Sequence, residues 1–396
     1  MQNQYCFDIT DFGAVADGTK DSTDAIQQAC EKAAAVHGTV IIPSGKYLCG
    51  YIKVPAGIVI EGTYTWNWSY HAGFAGSILQ QLDADMPCML DLTDAHGTTL
   101  NGLSLDGRRL GNCTHGVLIR HTSLPEEEDG IKIENCRIGY FTGDGVHLCY
   151  VNNFSVRHSM LCFCGGYSLY VTGTDGYIID NWLSGSEWGG GLGLGGDAWD
   201  IRVTANRIED PREDGADINL YDPRVDGPHR GCHDIVINNN YICGSRMSGI
   251  HGIAKDGAVL CDIQIVGNAF DSNGQQHKGS LESAHIRLEG CQRVLLSTNV
   301  FFTKRGFWDQ SSPINTDYAI CLADMQDILV AGNAWNDSAE IKDLVLRGNC
   351  GGECVIQRNA GREICDKEVY MFPYWNSKQF PDAKRDEKAL SFTELQ

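Results

Sequence analysis

Apolar and polar positions alternate along this chain in short bursts, and the bursts recur. The recurring pattern is apolar, any, apolar, two residues, Asn, any, apolar. It reads IKIENCRI around Asn135, IRVTANRI around Asn206, IVINNNYI around Asn240, IQIVGNAF around Asn268, VLLSTNVF around Asn299 and ILVAGNAW around Asn333. Weaker copies are FSVRHSML, with Ser159 in the Asn place, and YIIDNWL with Asn181. The steps between positions 135, 159, 181, 206, 240, 268, 299 and 333 are 24, 22, 25, 34, 28, 31 and 34 residues. Alternation with period two predicts strands, and repetition at this length predicts a solenoid. Asn fits a sharp bend after each strand, because it tolerates the left-handed region and bonds to nearby backbone. A second strand, often opened by Gly, precedes each copy: GVHLC, YSLYV, GLGLG, ADINLY, GIHGIA, AHIRLE and AICLA. The expected fold is therefore all-β, a parallel β-helix. Propeller blades of about 40–45 residues are too long for the early coils, and no helical half supports a leucine-rich repeat.

The ends of such a stack are open sheet edges and need covers. Residues 21–36 carry capping signals and good helix formers, and predict a helix that plugs the N-terminal end. The β-helix is expected over 1–361. Residues 362–396 leave the repeat pattern and are expected to cover the far end or side.

Composition narrows the functional classes. With 31 Lys+Arg against 51 Asp+Glu the net charge is −20, which argues against a nucleic-acid partner. No window of about 18 apolar residues predicts a membrane span. The start MQNQYCFDIT shows no basic stretch followed by an apolar run, and the 17 cysteines are irregularly spaced inside apolar segments. Both features predict reduced thiols and a cytoplasmic protein. Cys350 and Cys354 have no second ligand pair, so neither a metal nor another cofactor is expected.

The segment Asp11-Phe-Gly-Ala-Val-Ala-Asp-Gly-Thr-Lys-Asp-Ser-Thr-Asp-Ala-Ile-Gln, followed by Ile41-Ile-Pro-Ser-Gly-Lys-Tyr47, resembles the start of the pectate-lyase-like β-helix superfamily. That resemblance implies a right-handed, single-stranded parallel β-helix and carbohydrate-directed activity. It leaves the reaction open, because the fold hosts hydrolases, lyases, fructotransferases, epimerases and tailspikes. It also implies a homotrimer as one available assembly.

Strand alternation sorts candidate residues by face. With Val146 and Leu148 inward, His147 faces out, and with Leu169 and Val171 inward, Ser168 and Tyr170 do. Gly191, Gly193 and Gly195 follow as a flat floor, then Asp217 and Asn219, His251, His285 with Arg287 and Glu289, and Cys321. Trp182, Trp188 and Trp199 are candidate aromatic platforms, and Glu187 beside Trp188 is a candidate sugar contact. Insertions at 221–230, 271–283 and 303–318 flank this face, the last carrying Trp308 as a stacking wall.

Asp217, with Asp214 and Asp222 near it in sequence, is the leading candidate for a general acid beside an ionised base. Glu289 and His251 are further catalytic candidates. His147, Tyr170, Glu187, Trp188, Gly193, Asn219, His285, Arg287 and Trp308 are candidate substrate contacts, with Arg287 also able to pair with Glu289 or Glu282. EDGADIN, SGIHGI and HIRLE resemble the successive acidic, Gly-His-Gly and Arg-Ile-Lys strands of polygalacturonases, with Glu289 where the lysine would stand. The stretch from Asp214 to Asp222 is also similar to the acidic coil of inulin fructotransferases. The leading expectation is a glycoside hydrolase or transglycosidase acting on an oligosaccharide. A polysaccharide lyase or uronate epimerase is the alternative, and a non-catalytic sugar-binding or tailspike-like protein the third reading.

Overall fold

A computed structural model describes residues 5–63, 73–222, 225, 230–302, 316–336 and 338–360. Trp308 and the expected C-terminal extension, 362–396, lie outside these. The described chain forms a right-handed parallel β-helix, with every inter-strand ladder parallel between successive coils.

Each full coil has three strands. One lies on a back sheet, as in Gly231–Asn238, Val259–Val266, Gln292–Ser297 and Gln326–Ala331. After a sharp corner, a three-residue strand lies on a side sheet, as in Arg207–Glu209, Tyr241–Cys243 and Ala269–Asp271. A second corner leads to the front sheet, as in Ile218–Leu220, Ile250–Ile253, Ala284–Glu289 and Tyr318–Ala323. In three coils front and back are one bent strand: Val146–Arg157, Tyr167–Ile179 and Gly190–Thr204.

Inward rows are apolar. Val117, Val146, Leu169, Leu192, Ile218, Ile250, Ile286 and Ile320 form one buried row along the front sheet. Phe270, Phe301 and Trp335 stack from coil to coil at 4.9 and 5.5 Å, which adds ring–ring attraction to burial.

The back–side corner carries the repeat's asparagines as a buried ladder. The Asn206 Oδ1 accepts the Asn181 backbone N–H at 2.9 Å and its Nδ2 at 3.0 Å. The Asn206 Nδ2 in turn donates to the Ile178 carbonyl at 2.8 Å and to the Asn240 Oδ1 at 3.0 Å. The same contacts continue through Asn268, Asn299 and Asn333 to Asn359. These side chains satisfy buried backbone groups that no sheet reaches at a bend. The expected assignment of the bend needs two corrections. The left-handed residue is the one before the ladder Asn: Asp180, Ala205, Asn239, Gly267 and Thr298 have φ between 53° and 69°. In the early coil the ladder place belongs to Cys136, whose N–H meets the Ser159 Oγ at 3.1 Å. Asn135 is the left-handed residue there, and its side chain bonds to Asn101.

The plug helix spans Thr23–Ala34 and buries Ala25, Ile26, Ala29, Cys30 and Ala33, one face at helical spacing. It is shorter than 21–36. Asp21 stays outside and accepts the Thr23 N–H at 2.8 Å, and His37 turns left-handed beyond its end. The helix packs on the first coil's strands, Cys6–Asp8 and Thr39–Ile42. Every described cysteine is a free thiol. Among the described residues no helix is long and apolar enough to cross a membrane.

Candidate functional site

Parallel pairing places Leu118, His147, Tyr170, Gly193, Asn219, His251, Arg287, Cys321 and Val345 side by side on the front sheet. Their flanking neighbours point inward, so this row faces out, as strand parity requires. It brings together His147, Tyr170, Gly193, Asn219, His251 and Arg287 of the expected site.

The neighbouring row does not face out. Ser168, Gly191, Asp217 and His285 sit one residue before the first inward front-sheet position, where the chain arrives from the side sheet. These positions are the second residue of the front strand or, for Asp217, the residue just before it, and their side chains enter the wedge between the two sheets. Ser168 and Ser186 share a hydrogen bond at 2.7 Å. A Cβ at Gly191 would lie 2.4 Å from the inward Ile208 side chain. His285 is fully buried beside Phe270 and Phe301. Burial pushes it down to about 4, so it is neutral: Nε2 donates to the Ser338 carbonyl and Nδ1 accepts from Asn273.

Asp217 is likewise fully buried, and neither carboxyl oxygen has a hydrogen-bond partner among the described residues. Burial, then the charges of Asp210 and Glu209, push its carboxyl well above the usual range, favouring the neutral acid. The expected acid pairs Asp214–Asp217 and Asp217–Asp222 are therefore not formed on the groove. Asp214 is exposed and bonds to His277, while Asp222 accepts the Tyr167 hydroxyl at 2.6 Å.

One end of the outward row is a connected network. The Asp144 Oδ2 accepts from the His147 Nδ1 at 2.5 Å, and its Oδ1 accepts the Tyr167 N–H at 2.6 Å. The Asp144 backbone N–H donates to the His115 Nδ1 at 2.9 Å. A nitrogen that accepts an amide proton cannot also donate to a carboxylate, so His115 is neutral although the Asp144 Oδ2 lies 3.5 Å away. Burial pushes it down to about 4, with His147 adding to the effect and Asp144 opposing it. For His147 burial also opposes charge, but the Asp144 bond and the Cys149 contact prevail and push it up to about 10. The His147 Nε2 lies 3.0 Å from the Cys149 Sγ. His147 stacks on Tyr170 at 5.0 Å, Tyr170 meets Tyr167 at 5.5 Å, and Tyr167 meets Trp188 edge-on at 5.7 Å.

The tyrosines roof the glycine floor. A Cβ at Gly193 would stand 2.8 Å from Tyr170 and 2.9 Å from Tyr167. Glycine here admits two rings, where an open surface was expected. The donor atoms of His115, Asp144 and His147 converge within 4.8 Å of one another, the spacing of a metal-ligand set. Both Nδ1 atoms and the carboxylate are already engaged with one another or with backbone, so the three side chains form one hydrogen-bonded network.

The other end of the row is a charge cluster. The His251 Nε2 meets the Glu282 Oε2 at 3.1 Å. Arg287, nearly buried, bonds to Glu289 and lies 3.8 Å from Glu282. Burial raises the Glu282 carboxyl, but His251 and Arg287 outweigh it and hold it below the usual range. Between the two ends, Asn219 donates to the Gly189 carbonyl at 2.9 Å. Glu187 pairs with Arg109 at 2.7 Å on the rim. Of the three tryptophans only Trp188 borders the groove. Trp182 is buried and donates to Glu209, and Trp199 stacks on His233. A cavity of about 1180 Å³ lies behind, along Trp199 and an Asp200–Asp234–Asp262 row. That row is largely self-neutralised, Asp262 by Arg293 and Asp200 by Arg202.

The sequence reading did not single out Asp144, His115, Cys149 or Tyr167. Asp144 precedes His147 by three residues across a Gly-Val step, and Cys149 follows it by two on the same strand face. Those spacings were the available signal. Tyr167 gave none, because its ring crosses the coil to reach Gly193.

Comparison with known proteins agrees with this architecture. Residues 6–76 match the family described as rhamnogalacturonase A/epimerase, pectate lyase-like. The chain is 26% identical over 300 residues to mannuronan C5-epimerase AlgE2 of Azotobacter vinelandii, a match covering 71% of this chain and 26% of that protein. It thus spans about a quarter of that relative's length. Among solved structures, the A-module of Azotobacter vinelandii mannuronan C-5 epimerase AlgE6 superposes with a TM-score of 0.62 at 16% identity, covering 90% of this chain and all of that one. The DFA-IIIase of Arthrobacter chlorophenolicus A6, solved in complex with GF2, gives 0.59 at 13% identity over 90% and 94% of the two chains. Tailspike protein 2 of Escherichia coli O157:H7 bacteriophage CAB120 gives 0.62 at 12% identity over 84% and 43%. At these identities the structures establish the fold and nothing finer.

Proposed function

Because the chain is a pectate-lyase-like right-handed parallel β-helix protein, and because its outward row ends in a cationic histidine among tyrosines, we propose that it acts on an acidic oligosaccharide as a uronate epimerase or lyase. Both reactions begin with loss of the proton next to the uronate carboxylate. That step needs a cation near the carboxylate, a group to take the proton, and a donor to finish the reaction.

The observation that carries this reading is the Asp144–His147–Tyr170–Tyr167–Asp222 network. The His147 imidazolium, held by Asp144, neutralises the substrate carboxylate and supplies a proton. Tyr167 donates to Asp222 but is fully buried, so it orients Tyr170 and His147 from beneath the row, and the carbon-bound proton passes to a base on the groove side of the sheet. The network is largely shielded from water, where each charge acts more strongly. Return of a proton to the opposite face gives the epimer, and loss of the adjacent glycosidic oxygen gives the unsaturated sugar. Four strand steps of ~4.8 Å separate His147 from His251, about 19 Å, enough for several sugar units along the row. Arg287 and His251 then serve distal carboxylates. Paired-carboxylate hydrolysis is less well supported, since Asp217 lies behind the sheet and Asp222, Glu282 and Glu289 are each engaged by a donor.

The test is incubation with uronate oligosaccharides in deuterated water, read by proton NMR and by ultraviolet absorbance of unsaturated uronate. Deuterium at C5 or new unsaturation, lost in His147→Asn and lowered in Tyr167→Phe, is the expected result. Release of reducing ends with neither signal would replace this reading with hydrolysis.

A further inference from the structure

A second cavity, of about 470 Å³, opens at the corner between the side and front sheets. Tyr140, Phe163, Gly185, Asp210, Arg212 and Arg246 line it. Tyr140 and Phe163 stack face to face at 5.4 Å. The Arg212 guanidinium lies over Phe163 at 4.8 Å, and Arg109 lies over Tyr140 at 5.5 Å. Arg109 has its own carboxylate in Glu187. The Arg212 and Arg246 guanidinium groups form no hydrogen bond or ion pair with a described residue.

In a chain with 51 acidic and 31 basic residues, two arginines without a bonded carboxylate among the described residues share one concavity, where their charge is open to solvent or to an anionic ligand. Stacking fixes the face of the Arg212 guanidinium and leaves its N–H edges open, the geometry that grips a carboxylate with two bonds. Asp210 is the carboxyl in the same wall. Burial and then Glu209 push it up to about 6, with Arg207 and then Arg246 opposing that shift, so it is still largely ionised at neutral pH and faces Arg246 without a hydrogen bond to it. The same corner carries Glu187 and Trp188 to the groove rim, so an oligosaccharide leaving the row can reach the cavity.

We propose that this cavity is a second saccharide subsite, which grips the carboxylate of a uronate residue lying outside the groove row. The proposal rests on the acidic-oligosaccharide reading above and adds where a longer chain is held. The test is calorimetric titration of the full chain with a uronate disaccharide, a uronate hexasaccharide, a neutral hexasaccharide and inorganic phosphate. The variants are the double substitution Arg212→Gln/Arg246→Gln and the single Arg212→Lys. Arg212 is exposed, so the variants are expected to fold, and their thermal unfolding verifies it. The double variant should bind the uronate hexasaccharide about tenfold or more weakly, as expected for losing charge-assisted bonds, with the disaccharide unchanged. Arg212→Lys, which keeps charge without the flat fork, should recover only part of the loss.

Equal hexasaccharide affinity in wild type and double variant overturns the subsite. So does a loss seen equally with the neutral hexasaccharide, or one seen only with phosphate. Wild type that binds no uronate at all overturns both readings. A loss of hexasaccharide binding without any exchange at C5 keeps the subsite and removes the reaction.

Discussion

His115 and His147 border the same carboxylate, yet one is held neutral and the other charged. The difference lies in what each Nδ1 does: the first accepts an amide proton and the second donates to Asp144. It has a signature in stability. The histidine reference value is ~6.5. His147, pushed up to about 10, contributes stability in full below ~6.5 and loses it as pH rises towards 10. His115 and His285, pushed down to about 4, contribute above ~6.5 and lose it as pH falls through 4. Urea midpoints measured across pH should fall on both sides, and His147→Asn should flatten the alkaline side alone. Asp217 offers a second test at this scale. Its carboxyl lies behind the front sheet and favours the neutral form, so Asp217→Asn should keep activity and equal or exceed wild-type stability at neutral pH. Loss of turnover with an intact fold would return it to the catalytic machinery.

At the scale of elements, the Asn ladder and the glycine row show what patterning reveals. Period-two alternation and the Asn repeat identified the coil, its strands and the outward row from His147 to Cys321, because burial imposes parity on any strand with one dry face. The pattern failed at corners. Asp217 and His285 have the right parity on paper but stand at the corner, one just before its front strand and the other at its second residue, where the side chain turns into the wedge between sheets. Asn135 carried the right letter one place early, where Cys136 holds the ladder position. Tyr167 reaches its partner two coils away, across Gly193, and no local period encodes such a reach. Two substitutions probe these elements. Asn240→Ala leaves the Asn206 backbone amide without its acceptor and removes one of the acceptors of the Asn206 side chain, and should cost about 1–3 kcal/mol, read from urea unfolding. Gly193→Ala should crowd two buried rings, lower stability by about 1–3 kcal/mol, and displace Tyr167 and Tyr170, lowering kcat more than it changes KM.

At the scale of the molecule, a net charge of −20 would oppose the anionic substrate proposed above at distance, while His147, Arg287 and the corner arginines would attract it at contact. Salt screens the long-range repulsion more than the partly buried contacts. kcat/KM on a uronate oligosaccharide should therefore rise as salt is added from low ionic strength towards physiological, and a steady fall would show that local attraction governs association. The fold also sets what can vary around that site. Successive ladder asparagines are 25, 34, 28, 31 and 34 residues apart, yet each backbone N–H meets the next side chain at 2.8–3.0 Å. One corner is thus kept constant while the others absorb every difference in coil length. Such a molecule separates inheritance of its framework from experiment at its rim: a lineage can lengthen or trade the walls of the groove coil by coil without renegotiating the spine that keeps the coils in step.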